Sequence, residues 1–344
     1  MRETPKVTIV VTAYNVEKYI EKCLQSVEKQ TYTNYEVFVV DDGSSDRTGM
    51  LAEEFCKGKD NYQYVRQENA GVSVARNNGI DRATGAFIMF VDGDDYLDTI
   101  AVQEYVMAID DDTDILCSCC HAFTDNSTYD DHFFDRTYYM QSIDEKERLF
   151  MQLMNGNYGK PNGKGSTAVG VPWGKLYRRC FLNQYAIRFD PELRRMQDNM
   201  FNMYAFYHAH KVIYYDKAFY NYRLEHIQSK TTKYNSMIWL KVLNAREKFF
   251  KLHPEMNRDL IHTGYLYEKY VGMTAASYYA ATEMKYKDAV AEIKCIRRNP
   301  IFDEVFNCTH SESIPLKFKA IKVLIYLRMY LAVVVGLRMH QYSS

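Results

Sequence analysis

The run Val-Thr-Ile-Val-Val-Thr-Ala at residues 7–13 is short, β-branched and without a charged break. A strand of that kind is stable only where both of its faces are covered, and in a layered protein the cover comes from helices connecting parallel strands. The next residues supply such a helix: Val16 to Lys29 carries Tyr19, Ile20, Leu24 and Val27 on one face. A second strand, Tyr35 to Val40, ends in Asp41-Asp42-Gly43-Ser44-Ser45-Asp46, a carboxylate-rich turn that caps a helix running to about Lys57. Tyr62 to Arg66 reads as a third strand and Val72 to Ala83 as a helix. Ala86 to Val91 is a strongly apolar strand that runs straight into Asp92-Gly93-Asp94-Asp95. Strands alternating with helices imply right-handed crossovers and a mostly parallel α/β sheet, whose ligand crevice lies at the carboxyl ends of the strands. The acidic clusters all fall there.

Beyond about Asp98 the pattern loosens. Asn155 to Gly170 is rich in Gly and Asn and reads as a mobile loop over or near the crevice. Pro172 to Arg179 opens a new element, followed by a helix from about Asp198 to His208 and a strand from Val212 to Tyr215. From Met237 to Arg298 the chain reads as helical throughout, and Pro300 breaks it. These aromatic-rich helices suit an accessory lobe or a homo-oligomer surface. Leu316 to Leu337 is apolar but interrupted by Lys317, Lys319, Lys322 and Arg328, with Arg338 just beyond. Its uncharged stretch is too short to cross a bilayer, so it is expected to lie on a membrane surface with its cations toward anionic headgroups, the alternative being a terminal helix packed on the protein.

With 43 basic against 44 acidic side chains the chain carries no global field, which argues against a nucleic-acid binder. The 8 cysteines are scattered and no secretory signal precedes them, so a reducing, cytoplasmic compartment is expected, on the inner face of the plasma membrane if the tail binds there. Cys117-Ser118-Cys119-Cys120 contains a C-x-x-C pair but no second pair at zinc spacing, and fits small hydrophobes on a buried strand better than a metal site.

Three carboxylates within four residues, Asp92, Asp94 and Asp95, repel one another and lose hydration. They are tolerable in water, as a solvated turn, or around a cation. A divalent Mg²⁺ or Mn²⁺ held by one or two of them would neutralise the diphosphate of a leaving nucleotide. Tyr14, after the first strand, offers a ring to stack on a base, and Asp42, after the second, offers an acceptor for the imide N–H of uracil, although a lone Asp there is more often a turn or cap. Asn69 to Asn77 adds a glycine for close approach and Arg76 for phosphate.

Taken in order, Val10 to Asn15 with Glu17, Gln30-Thr31-Tyr32, Val40 to Asp46, Asn69-x-Gly71, Ala75-Arg76-Asn77-x-Gly79 and Phe90 to Asp95 resemble the family-2 glycosyltransferases of the GT-A fold. The likeness is specific over residues 4–100. It continues more loosely through Trp173-x-Lys175-Leu176, Gln197-Asp198-x-x-Phe201 and Tyr222-Arg223 to about Thr231. The resemblance implies a Rossmann-like nucleotide-sugar-binding sheet and an inverting transfer of a hexose or N-acetylhexosamine from a UDP-sugar to a lipid-linked or polysaccharide acceptor, as in exopolysaccharide, capsule or lipopolysaccharide synthesis. It implies that Tyr14 and Asp42 hold uracil, that Thr12 and Glu17 lie near the nucleoside, that Arg76 approaches the diphosphate, and that Asp92 and Asp94 meet ribose and metal. The family's Glu-Asp pair, which carries the general base, reads Gln197-Asp198 here, leaving Asp198 as the catalytic carboxylate, the alternative being a helix N-terminal carboxylate that stabilises the dipole. Trp173 would border the sugar or sit in the core. Arg223 would clamp phosphate, and His226 would add a metal ligand or lie at the surface.

The expected organisation is a catalytic domain over residues 1–232, with a nucleotide half at 1–100 and an acceptor half at 101–232. A helical accessory region follows at 233–310 and a membrane-surface helix at 311–344. Two alternatives stay open: a non-catalytic subunit that binds nucleotide-sugar and recruits a partner synthase, and a Mg²⁺-dependent phosphohydrolase, since an apolar strand followed by D-x-D marks those enzymes too.

Overall fold

A computed structural model describes residues 4–163, 165–224, 236–307 and 316–343. His226 and Cys308 lie outside the described residues. The chain forms two compact units, residues 1–227 and 228–344.

The first unit is built on one sheet. Strands β1 (Val7–Ala13), β2 (Tyr35–Asp41), β3 (Tyr62–Arg66) and β4 (Phe87–Asp92) alternate with helices α1 (Ile20–Glu28), α2 (Thr48–Cys56) and α3 (Val72–Arg82). They pair in parallel in the order β3-β2-β1-β4, as the apolar runs require. Every residue of β1 is buried, and each such aliphatic side chain contributes about 1.5–3 kcal/mol by leaving water. Helix α3 lies so close to β1 that a Cβ on Gly79 would stand 2.2 Å from Val10 Cγ1, which is why this helical position has no side chain.

The first helix begins at Ile20 rather than Val16. Residues 14–19 are instead a turn tied to the second acidic loop: Asn15 is left-handed at φ 52°, its N–H donates to Ser44 Oγ at 3.0 Å, and the Val16 N–H donates to Thr48 Oγ1 at 2.8 Å.

After β4 come a short β5 (Tyr96–Leu97), α4 (Ala101–Ala108), β6 (Ile115–Phe123), β7 (Thr128–Asp131), β8 (Tyr138–Met140), α5 (Ile143–Met154), β9 (Lys175–Arg178), α6 (Arg179–Gln184), α7 (Gln197–His208) and β10 (Val212–Arg223). The sheet continues as β4-β9-β6-β10-β5 and becomes mixed there: β9 is antiparallel to both β4 and β6, while β6 and β10 are parallel. Strand β10 runs eight residues past the expected end at Tyr215. The strand passes Tyr215 through a bulge at Asp216-Lys217, with register shifts against β6 on either side of Ala218. Cys117, Cys119 and Cys120 are buried on β6, as the apolar run around them suggested.

The loop from Asn155 to Gly170 is anchored, contrary to the expectation of a mobile segment. Asp131 Oδ2 accepts from the Ser166 N–H at 2.8 Å, the Ser166 hydroxyl at 2.6 Å and the Thr167 N–H at 2.9 Å, while Lys160 Nζ reaches Asp131 Oδ1 at 2.5 Å. A buried carboxylate with that many donors fixes the chain around it.

The second unit is helical: α8 (Ser236–Leu252), α9 (Asp259–Glu283), α10 (Tyr286–Arg298), α11 (Asp303–Asn307), α12 (Leu316–Tyr326) and α13 (Tyr330–Ser343). The expected continuous run from Met237 to Arg298 is broken at Pro254, which opens a 3₁₀ turn, and again between Glu283 and Tyr286. Arg246 and Glu268 form a fully buried ion pair at 3.0 Å between α8 and α9. The tail is two helices, not one, because Arg328 is left-handed at φ 61°. Ile325, Val333 and Val334 are buried. Arg338 Nε donates to the Ala281 carbonyl and Nη2 to the Met284 carbonyl, both at 2.5 Å, so this cation satisfies the carbonyls at the end of α9 and does not face headgroups. Among the described residues no helix is long and apolar enough to cross a membrane.

Candidate functional site

Parallel register brings the expected residues to one edge of the sheet. Thr12 stands opposite Val40 on one side and Asp92 on the other, and Ala13 stands opposite Asp41. The ends of β1, β2 and β4 therefore present Thr12, Tyr14, Asp42 and Asp92 side by side.

Arg76, on α3, is the electrostatic centre. It is 4% exposed, its Nη2 donates to Asp92 Oδ1 at 2.8 Å, and Thr12 Oγ1 donates to the same oxygen at 3.3 Å. Its Nε and Nη1 are buried without a hydrogen-bond partner. Leaving buried donors unmet costs about 1–3 kcal/mol each, and an incoming oxygen anion would relieve that cost. The guanidinium acts electrostatically on Asp92 and on Asp198, in the first turn of α7. Burial raises the Asp198 carboxyl above the usual aspartate range, with the charge of Arg76 as the main opposing influence. Beside it, Gln197 Oε1 is buried without a partner.

The acidic turn divides its carboxylates between two tasks. Asp95 is buried and built in: its Oδ2 accepts from the Tyr220 hydroxyl at 2.7 Å and its Oδ1 from the Arg223 N–H at 2.8 Å. Burial, then the neighbouring Asp94 and Asp92, push its carboxyl well above the ordinary range. The Tyr220 hydroxyl in turn accepts from the Asp92 N–H at 3.1 Å, so one phenol ties both ends of the turn to β10. Asp92 and Asp94 are half-buried and border the crevice.

Trp173 lies in the core: it is 2% exposed and stacks on Tyr220 with centroids 4.4 Å apart, holding the phenol in place. Lys175 is fully buried and donates to the Val171 carbonyl at 2.5 Å. Arg223 Nε donates to the Asp94 carbonyl at 3.2 Å, and its guanidinium lies 4.3 Å from the Tyr19 centroid and 4.6 Å from that of Phe123. Tyr220 was not singled out from the sequence. The signal was the strand period: it shares a face of β10 with Tyr222, two residues on, and both rings meet Trp173.

At the other end, Asp42 is 5% exposed. Its Oδ1 accepts from Gln67 Nε2 at 2.8 Å and the Ala70 N–H at 2.9 Å, and its Oδ2 from the Gly71 N–H at 2.9 Å. A carboxylate has about four acceptor places, so Asp42 both fixes the 69–71 turn and keeps one place on Oδ2. Tyr14 is 49% exposed, with ring surface open to a partner. Glu17 spends its carboxylate on the entry to α2, accepting from Arg47 N–H at 3.0 Å and Nε at 3.2 Å. It supports the loop that frames the crevice.

The glycosyl transferase family 2 profile matches residues 8–185. The Bacillus subtilis protein EpsH is 32% identical over 240 residues, which cover 69% of this chain and 66% of EpsH. Glycosyltransferase GlyA of Streptococcus pneumoniae is 34% identical over 221 residues, covering 64% of this chain and 30% of GlyA. The chain thus spans less than two thirds of the length of these relatives. The crystal structure of Staphylococcus aureus TarS 1–349 in complex with UDP-GlcNAc superposes with a TM-score of 0.62 over 97% of this chain and 92% of that one, at 20% identity, a likeness of fold. These matches set aside the phosphohydrolase alternative. Matched over more than half its length, and with this sheet carrying its motifs at the strand ends, the chain belongs to glycosyl transferase family 2 and has the GT-A fold.

Proposed function

We propose that this protein transfers a hexose or N-acetylhexosamine from a UDP-sugar to a lipid-linked or polysaccharide acceptor, with inversion at the anomeric carbon. The observation that carries the reading is Arg76: a buried cation with two unmet donors, between the Asp92 end of the acidic turn and Asp198. An anionic diphosphate and a base for the acceptor hydroxyl are what such an arrangement serves. The uracil stacks on Tyr14 and donates its imide N–H to the acceptor place left on Asp42 Oδ2. Asp198 takes the proton of the acceptor hydroxyl as that oxygen bonds to the anomeric carbon and the bond to the diphosphate oxygen breaks. The single displacement turns an α-linked donor into a β-glycoside. A carboxyl raised above the usual range is a stronger base for this step than an ordinary aspartate.

The donor set fits a hard divalent cation. Asp92 and Asp94, with Gly93 between them, supply oxygen ligands, and Mg²⁺ or Mn²⁺ takes one or two carboxylates with water and phosphate oxygens in the remaining positions. Bound there, the cation supplies positive charge to the departing diphosphate. Arg223, held over Tyr19 and Phe123 beside the turn, orients Asp94.

A thermal-shift panel with UDP, GDP, CDP, TDP and ADP, each with Mn²⁺ and with EDTA, tests the donor. Ligand at a hundred times Kd adds about 2.7 kcal/mol to stability. Stabilisation by UDP that vanishes with EDTA is the expected result; an equal shift with GDP would overturn the uracil assignment, and no shift with any nucleotide would favour the recruiting-subunit reading.

The second unit is the part we assign to the membrane. Val323, Tyr326, Leu327, Leu331 and Val335 are exposed on α12, α13 and the turn between them, with Lys319 and Arg328 beside them in sequence. Co-sedimentation with vesicles containing anionic lipid is expected for the native chain and not for Leu327→Glu/Leu331→Glu. Equal sedimentation of the two would remove this surface from the membrane, leaving a homo-oligomer contact to be read from its mass in solution.

A further inference from the structure

One group of three potential metal ligands among the described residues lies outside the transfer site. Cys119 on β6, His132 just after β7 and Asp216 in the bulge of β10 have one ligand atom each within 4.8 Å of the others. Cys119 and His132 come from the β6–β7 hairpin and its exit, and Asp216 from β10, far along the chain. The β10 bulge is what places Asp216 there, since it displaces the strand from simple register with β6 at this point. His132 Nδ1 and Asp216 Oδ1 are 2.7 Å apart. Cys119 is fully buried, whereas the side chains of His132 and Asp216 are 37% and 21% exposed, which leaves a path from solvent to the group.

The surroundings orient the ligands. The Tyr214 hydroxyl donates to Asp216 Oδ1 at 2.9 Å and accepts from the Phe133 N–H at 3.0 Å, and the Asp216 N–H donates to Thr137 Oγ1 at 3.1 Å. Hydrogen bonds of this kind to a ligating carboxylate fix its orientation and are a regular part of metal sites. The adjoining Asp131 is anchored by Lys160, Ser166 and Thr167, so the backbone that carries His132 is held independently of any ion.

We propose that Cys119, His132 and Asp216 form a zinc site with a fourth position open to water. The ligand types decide the metal: a thiolate, an imidazole and one carboxylate suit Zn²⁺, whereas Mg²⁺ and Mn²⁺ prefer oxygen alone. Bond lengths of about 2.0 Å to N and O and about 2.3 Å to S at tetrahedral angles require His132 and Asp216 to separate from hydrogen-bond contact to about 3.3 Å. Binding exchanges the thiol proton of Cys119 and the His132–Asp216 hydrogen bond for three bonds to zinc, and the proton leaves to solvent. The site would pin the segment after β7 to β6 and β10, apart from the hard-cation site at Asp92 and Asp94. The C-x-x-C pair noted in the sequence, Cys117 and Cys120, has no part in it; Cys119 lies between them.

The test uses the full chain, freed of metal, incubated with Zn²⁺ or Co²⁺ and dialysed. One zinc per chain by atomic emission, and a thiolate-to-cobalt charge-transfer band in the near ultraviolet, are expected, with both lost in Cys119→Ser and in His132→Gln. His132 is at the rim, so its variant keeps the fold even where Cys119→Ser does not. The band is specific to a sulfur ligand and is not produced by cobalt at the acidic turn. Absence of the band, or its persistence in either variant, would overturn the proposal.

Discussion

Asp198→Asn is expected to leave UDP binding intact while transfer falls about 10²- to 10⁴-fold, the range for loss of a positioned general base. The same change is expected to stabilise the protein near neutral pH. Burial raises the folded-state pKa of Asp198 above that of the unfolded chain, so the native state binds its proton more tightly, and ionising the group costs stability. That cost is fully present above the folded pKa and disappears as pH falls below the unfolded value of about 3.9. The melting temperature of Asp198→Asn should therefore exceed that of the native protein at pH 8, with the difference closing as the pH is lowered. The activity of the native enzyme should rise with pH along a limb displaced above the ordinary aspartate range. A variant that transfers sugar at the native rate would remove Asp198 as the base; one that loses activity and stability together would assign it a structural role.

The neighbouring Gln197 sharpens this. The family pattern puts a second carboxylate there, which would sit beside Asp198 and raise its pKa further by like-charge repulsion. With a neutral amide in that place, burial does the raising and Arg76 limits it.

The strands of the first unit were legible because burial on both faces leaves an uninterrupted apolar record, and the acidic residues at their ends stand out against it. The same logic concealed the rest. The expected strand stops at Tyr215 while β10 continues through Asp216-Lys217, because a bulge and a strand end both admit polar residues. Arg328 carries the break between α12 and α13 without a Gly or Pro to announce it. The anchoring of residues 155–170 depends on Asp131, 35 residues before Ser166, and no local pattern encodes such a contact. Among 30 tyrosines, the strand period pairs Tyr220 with Tyr222 on one face, and what its hydroxyl reaches sets it apart from the rest. Trp173 and Glu17 belong to the site through the residues they hold, which sequence spacing cannot distinguish from direct contact with substrate.

Arg76→Leu is expected to be the most disruptive single change in the site. The guanidinium is the cation that hydrogen-bonds Asp92 among the described residues, and it bears on Asp198 as well. Removing one partner of a buried pair costs about 3–5 kcal/mol because the remaining charge is left uncompensated; the partial exposure of Asp92, at 26%, puts the expectation toward the lower end. Without the cation, Asp92 and Asp198 face each other as like charges. The Asp198 carboxyl should rise further, moving the acid limb of the activity profile to still higher pH. Transfer should fall by at least a hundredfold, since the diphosphate loses the two donors it would satisfy and the base is protonated over more of the working range. Arg76→Lys should recover part of the stability and little of the rate, because an ammonium restores the charge without the fork that can hold Asp92 and a phosphate oxygen at once. Full activity in the lysine variant would show that charge alone is what Arg76 contributes, and an unshifted acid limb in the leucine variant would separate it from Asp198.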